Sequence, residues 1–214
     1  MRLTCLTMDK TPQRREARGD ELLYGAERRD VIQMKATQRA IGTTVLAVRR
    51  GDQLAVAGDG QVTIQTTKVK LGANKLRRLY HDKVIVGFAG AAADAIALFE
   101  KLEGKLEASR GHLGRAAYEL AKDWRTDRVL RRLEAMLIAA DKEDLLIISG
   151  SGDIIEPDDG VAGIGVGAPY AIAAARALIR NTEMTAEQVA REAMSITAEI
   201  DIYTNDRITI ETLP

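Results

Sequence analysis

The chain has 214 residues, 46% hydrophobic and 29% charged, with Lys plus Arg and Asp plus Glu both at 31; this fits one soluble core and excludes a disordered chain. Zero formal net charge supplies no bulk attraction to nucleic acid or to an anionic membrane, and neither is expected as a partner. The longest apolar stretch, Val84 to Phe99, is broken by Asp94 and is shorter than the ~20 residues of a bilayer span, no signal-peptide core follows the early basic residues, and a single cysteine, Cys5, excludes an internal disulfide, so a cytoplasmic location is expected.

Residues 1–42 hold nine basic and six acidic residues and no periodic apolar pattern. They read as a leader, removed or disordered, with Met8 and Met34 as alternative starts, ahead of a domain over 43–214. Cys5 falls in this segment and makes a poor nucleophile there. Thr44 to Val48 and Leu54 to Ala57 read as strands joined by a tight turn at Gly51-Asp52. Further strands are expected over 62–67, 76–80 and 83–88, the last two linked at His81-Asp82. The period then changes. Ala95, Leu98, Phe99, Leu102 and Leu106 fall at helical spacing, and after Gly111 so do Leu113, Ala116, Ala117, Leu120, Ala121 and Trp124. Strands return over 136–140, 145–149, 154–155 and 161–164, punctuated by Gly150, Gly152, Pro157 and Gly160. Helices follow over about 170–180 and 185–199, the second capped by Thr185 with Gln188 three positions on, and a strand over 207–211 comes last. Two strand sets and two helix pairs, each with a face to bury, make an α+β chain whose natural packing is a four-layer αββα sandwich. Periodicity by itself also allows helices on one sheet only.

Chemistry concentrates where the leader meets the first strand. Gly42-Thr43-Thr44 is a candidate processing junction. Cleavage after Gly42 would give Thr43 a free α-amine, whose ordinary pKa of about 7.7–8.0 lets it accept the proton of its own hydroxyl near neutral pH. While the bond to Gly42 is intact that nitrogen is an amide and cannot act as a base, so the precursor is expected to be inactive. A Thr pair also simply suits a strand, so further groups are needed. Asp59, in Ala57-Gly58-Asp59-Gly60, follows the second strand, and the hairpin returns it toward Thr43. Lys75 opens a later strand, and a part-buried lysine beside a carboxylate can lower the pKa of a neighbouring hydroxyl or ammonium. Gly90, where a strand runs through Phe88-Ala89-Gly90-Ala91 into a helix, offers an N–H for an oxyanion. Taken singly, Asp59 also reads as a turn carboxylate, Lys75 as part of a solvated basic run, and Gly90 as ordinary strand-to-helix turn chemistry.

Thr43-Thr44-Val45, Ala57-Gly58-Asp59-Gly60-Gln61, Lys75-Leu76-Arg77-Arg78-Leu79-Tyr80, Lys83 to Gly90, Ala121-Lys122-Asp123-Trp124-Arg125-Thr126-Asp127 and Ile202-Tyr203-Thr204-Asn205 together closely resemble the HslV (ClpQ) family of proteasome-like threonine peptidases. The similarity spans essentially all of 43–214. It implies an N-terminal-nucleophile hydrolase fold, a homo-oligomeric double ring of hexamers enclosing the active sites, and a partner ATPase ring, HslU (ClpY), that uses ATP to unfold and feed protein substrates. Peptide hydrolysis in the subunit itself would need no cofactor. The resemblance puts the nucleophile on Thr43, the carboxylate on Asp59, the ammonium on Lys75 and the oxyanion donor on Gly90. It also implies a sodium site formed by the backbone carbonyls of Ala198, Asp201 and Thr204.

Two positions depart from the family pattern. Gly165-Val166-Gly167-Ala168 has valine where the family has a serine near the nucleophile, and valine cannot relay a proton. Ala198 stands where relatives often have glycine, which matters if the cation site requires positive φ. Val166 also favours an alternative: a weak or inactive ring subunit that acts as a scaffold. Gly163-x-Gly165-x-x-Ala168 is a poor dinucleotide-binding turn, with Pro169 following and no repeated βαβ units before it. His81 and His112 lack zinc spacing, and neither Ser149 nor Ser151 sits in a hydrolase elbow.

Overall fold

The structure, a computed structural model, describes residues 40–41, 43–128, 130, 133 and 135–214. Apart from Ala40 and Ile41, the expected leader lies outside the described residues, as do Cys5, Met8, Met34 and Gly42.

Twelve strands and four helices are described. The central pair is β2 (Thr44–Arg50) and β3 (Gln53–Gly58), joined across a two-residue turn at Gly51-Asp52 in which Gly51 takes φ +59°. β11 (Val161–Gly165) flanks β2, and β12 (Thr209–Leu213) flanks β3, which completes a four-stranded antiparallel sheet. A five-stranded antiparallel sheet runs β10 (Ile154–Ile155), β9 (Leu145–Ser149), β8 (Ala135–Ala140), β7 (Val84–Gly90), β6 (Leu76–Leu79). Helices α1 (Ala92–Ala108) and α2 (Leu113–Thr126) pack on the five-stranded sheet, and α3 (Ala168–Asn181) and α4 (Ala186–Ile200) on the four-stranded one.

Strand alternation decides the layering. On β2, Val45 and Ala47 face the other sheet while Leu46 and Val48 face α3 and α4; on β7, Ile85 and Ala89 face inward while Val84, Val86 and Phe88 meet α1 and α2. Both sheets are covered on both faces, which is why their middle strands are almost continuously apolar rather than alternating with polar residues. The result is three apolar clusters, one between each pair of successive layers. The four-layer αββα sandwich is thus the observed architecture, and helices on a single sheet are not.

Several boundaries differ from the sequence reading. The strand expected over 62–67 is two, β4 (Val62–Ile64) and β5 (Thr67–Lys70), because the chain reverses at Gln65, which takes φ +54°. β1 (Ala40–Ile41) adds to β4 in register Ala40 with Ile64 and Ile41 with Thr63, making a small third sheet that apolar periodicity gave no sign of. The last strand lies two residues further on than expected, and α3 starts at Ala168, with Pro169 in its first turn, where a missing N–H is harmless. The capping box of Thr185 and Gln188 is present in full on α4. None of the described helices is long and apolar enough to cross a membrane.

Candidate active site

The β2–β3 hairpin brings Asp59 back to the start of β2, as expected. The Thr44 N–H donates to Asp59 Oδ1 at 2.8 Å, and the Asp59 N–H donates to the Thr44 carbonyl at 3.2 Å. Lys75, just before β6, comes from the other sheet and donates from Nζ to the same Oδ1 at 2.6 Å; Gln61 N–H donates to Oδ2 at 2.8 Å. Asp59 is 0% exposed and Lys75 2%. Three donors around one carboxylate offset the cost of burying its charge. Burial outweighs the attraction of Asp59 at the ammonium, so the pKa of Lys75 lies below its ordinary value of 10.5 and it releases its proton more readily than a solvated lysine.

Thr43 is itself buried and precedes β2 directly; its carbonyl accepts the Val166 N–H at 3.0 Å. That contact exists because Gly165 takes φ +93° and brings the β11–α3 turn so close that a Cβ there would run into the Thr43 carbonyl oxygen. The Val166 side chain is 45% exposed. Gly90 ends β7 opposite Ala135 with φ +132°. It stands two residues beyond Phe88, whose N–H donates to the Lys75 carbonyl at 3.2 Å, so one hairpin carries both. Thr43 and Asp59 therefore come from the four-stranded sheet, and Lys75 and Gly90 from the five-stranded one.

Two residues here lie in segments that carry the resemblance but receive no role from the sequence. Thr44 looked like any β-branched strand residue, yet its hydroxyl is fully engaged: it accepts the Gly167 N–H at 3.1 Å and lies 2.7 Å from the Thr204 hydroxyl. The buried Gln61 side chain donates to Thr63 Oγ1 and to the Ile202 carbonyl, both at 2.9 Å, tying β4 to the loop after α4.

Ala198 lies in the last turn of α4 and Asp201 caps it. Ala198 is not among the residues with positive φ, so alanine is unstrained at that position. Carbonyls at a helix C-terminus carry partial negative charge and lack intrahelical donors, a hard-oxygen set that suits a monovalent cation. The Asp201 carbonyl also accepts the Thr204 N–H at 3.1 Å, which leaves it a second lone pair. Among the described residues, no cluster of His, Cys, Asp and Glu has metal-binding geometry. The Gly163–Gly165 stretch lies in an antiparallel strand and not in a βαβ unit, which removes the dinucleotide reading.

Residues 40–213 match the family model for proteasome subunits. The ATP-dependent protease subunit HslV of Syntrophobacter fumaroxidans is 60% identical over 172 residues, 80% of this chain and 96% of that protein. The chain belongs to the HslV family. Within solved structures, eukaryotic HslV from Trypanosoma brucei superposes with a TM-score of 0.77 at 50% identity, covering 79% of this chain and 98% of that one. Thiobacillus denitrificans BPH, solved in complex with epoxomicin, superposes at 0.65 with 20% identity over 79% of this chain and 97% of that one, a likeness of fold alone. HslV membership establishes a proteasome-like N-terminal-nucleophile hydrolase fold and a subunit of the ATP-dependent protease class.

Proposed function

We propose that this chain is the peptidase subunit of a cytoplasmic ATP-dependent protease, a threonine endopeptidase that matures by cleavage after Gly42 and uses Thr43 as nucleophile. The observation that carries the reading is the buried Asp59–Lys75 pair at 2.6 Å, with Asp59 also binding the N–H of the residue next to Thr43. In the mature chain, Thr43 Oγ attacks the scissile carbonyl while its proton passes to the Thr43 α-amine. The Lys75 ammonium favours the oxygen in its developing anionic form, and the Gly90 N–H donates a hydrogen bond to the oxyanion. Collapse expels the substrate amine, which takes up the proton, and leaves an ester on Thr43. Water, deprotonated by the Thr43 α-amine, attacks that ester; the acyl group leaves as a carboxylic acid and the proton returns to Thr43 Oγ.

Substrates would be unfolded proteins delivered by a partner ATPase ring of the HslU type, which alone consumes ATP, to a double ring of hexamers of this chain. The carbonyls of Ala198, Asp201 and Thr204 would hold a sodium ion, which supplies positive charge that fixes the loop after α4 and takes no part in bond making.

Intact-mass measurement of the purified protein tests the core of this. The expected native species begins at Thr43 and gains one peptide β-lactone as an ester there, whereas Thr43→Ala keeps its leader. Val166 favours one other reading, an assembled ring subunit without activity, because the turn that binds Thr43 offers no hydroxyl. A native chain that assembles with its leader uncut and takes up no probe would establish that reading in place of ours.

A further inference from the structure

The Thr44 hydroxyl begins a buried chain that the proposed chemistry does not use. Thr204 Oγ1 donates to Asp201 Oδ2 at 2.5 Å, while Asp201 Oδ1 accepts the Tyr203 N–H at 3.2 Å. A hydroxyl has one proton. Because that of Thr204 is committed to Asp201, the 2.7 Å contact between Thr44 and Thr204 is filled by the Thr44 proton. Thr44 Oγ1 is then left to accept, and the Gly167 N–H meets it at 3.1 Å. Proton direction is fixed along the whole run, from Gly167 through Thr44 and Thr204 to Asp201. The members are all buried, and Gly167 must be glycine, since a Cβ there would collide with Thr44 Oγ1 and come within 2.7 Å of Thr204 Oγ1.

The geometry ends on residue 43. Thr44 is held through its N–H and carbonyl by Asp59 and through its hydroxyl by this chain, so its backbone and side chain are both set. The same turn presents successive N–H groups, Val166 to the Thr43 carbonyl and Gly167 to the Thr44 hydroxyl. We propose that Thr44, Thr204 and Asp201, through their side chains, form a positioning relay that fixes the Thr43-Thr44 peptide against the β11–α3 turn and so aims the nucleophile. This rests on the reading of Thr43 as the nucleophile. Its role is to orient: none of the three residues is required to touch the substrate.

The experiment follows ester formation by a peptide β-lactone on the full chain after maturation, separating the maximal labelling rate from the half-saturating concentration, with a thermal midpoint recorded for each variant. Thr44→Val keeps the shape and removes the hydroxyl. It is expected to slow the maximal rate by about tenfold or more at an unchanged half-saturating concentration, while Thr44→Ser stays within about threefold of the native chain. Equal rates for Thr44→Val and the native chain overturn the proposal, as does a Thr44→Ser chain as slow as Thr44→Val. A lowered midpoint with an intact rate also overturns it, since it makes the relay a matter of stability only. If Thr44→Val does not assemble, Thr204→Val and Thr204→Ser carry the same expectations. Failure of the underlying reading shows separately, as a native chain that is not labelled at Thr43.

Discussion

At Lys75 two demands conflict. Its ammonium is buried beside Asp59 and partly loses what burial costs by pairing with it. Removing one member of such a pair strands the other, so Lys75→Met is expected to lose about 3–5 kcal/mol of unfolding free energy in urea, along with peptide hydrolysis; a stable K75M chain would show that Asp59 has other means of compensation. The sign of the pH dependence follows from the lowered pKa of Lys75. Between that value and 10.5 the unfolded chain binds more protons than the folded one, so the contribution of Lys75 to stability rises with pH through that window. The native chain should therefore gain on K75M as pH rises toward 10.5, and a constant or shrinking difference would show that pairing with Asp59 matches or outweighs the cost of burial. At Val166 the backbone does the holding and the exposed side chain adds no polar group. Val166→Ser is expected to raise turnover of a peptide substrate, by roughly fivefold if one hydrogen bond of about 1 kcal/mol is gained in the transition state; unchanged turnover would mean that water already serves there.

Among the elements, the β11–α3 turn and α4 matter most, because each delivers backbone to the site. Gly165→Ala places a methyl group against the Thr43 carbonyl at a left-handed φ. It should cost about 1–3 kcal/mol and suppress maturation, visible as full-length mass in a folded chain. Thr185→Ala removes one half of the α4 capping box, with an expected loss of about 1 kcal/mol in thermal or urea unfolding; no loss would mean that tertiary packing alone fixes the helix start. Elements of this kind were legible in the sequence when they carried their own signal. Thr185 and Gln188 announced α4, and Gly51-Asp52 announced the β2–β3 hairpin. β1 and the β4–β5 break were not legible, since a two-residue strand has no period and Gln65 is not a residue type that marks a left-handed turn.

For the whole molecule, the αββα order followed from counting faces that need burial, and the three apolar clusters correspond to that count. What no periodicity could provide was which strand ends meet. Hairpin logic places Asp59 beside the start of β2, but Lys75 reaches it from the opposite sheet, a contact between residues 16 apart in sequence that depends on how the sheets stack. Local chemistry offers Lys75 and Gly90 only as candidates beside commoner readings, and the resemblance is what selects them. Thr44 escaped notice for the same reason: its partners lie at Gly167 and Thr204, more than a hundred residues on.

The sheets stack tightly at Gly87, where a Cβ would come within 2.6 Å of Val45 Cγ1 on the facing sheet and 3.0 Å of Leu76 Cδ2 on the neighbouring strand. Val45 is two residues from Thr43, and Leu76 adjoins Lys75. A methyl group at 87 is therefore expected to wedge the layers apart at a cost of about 1–3 kcal/mol and to slow ester formation at Thr43 as well. Gly87 bears no functional group, yet the gap it permits sets the reach between a cation carried on one slab and a carboxylate carried on the other, so the thickness of the interior acts as a tolerance on the chemistry at its rim.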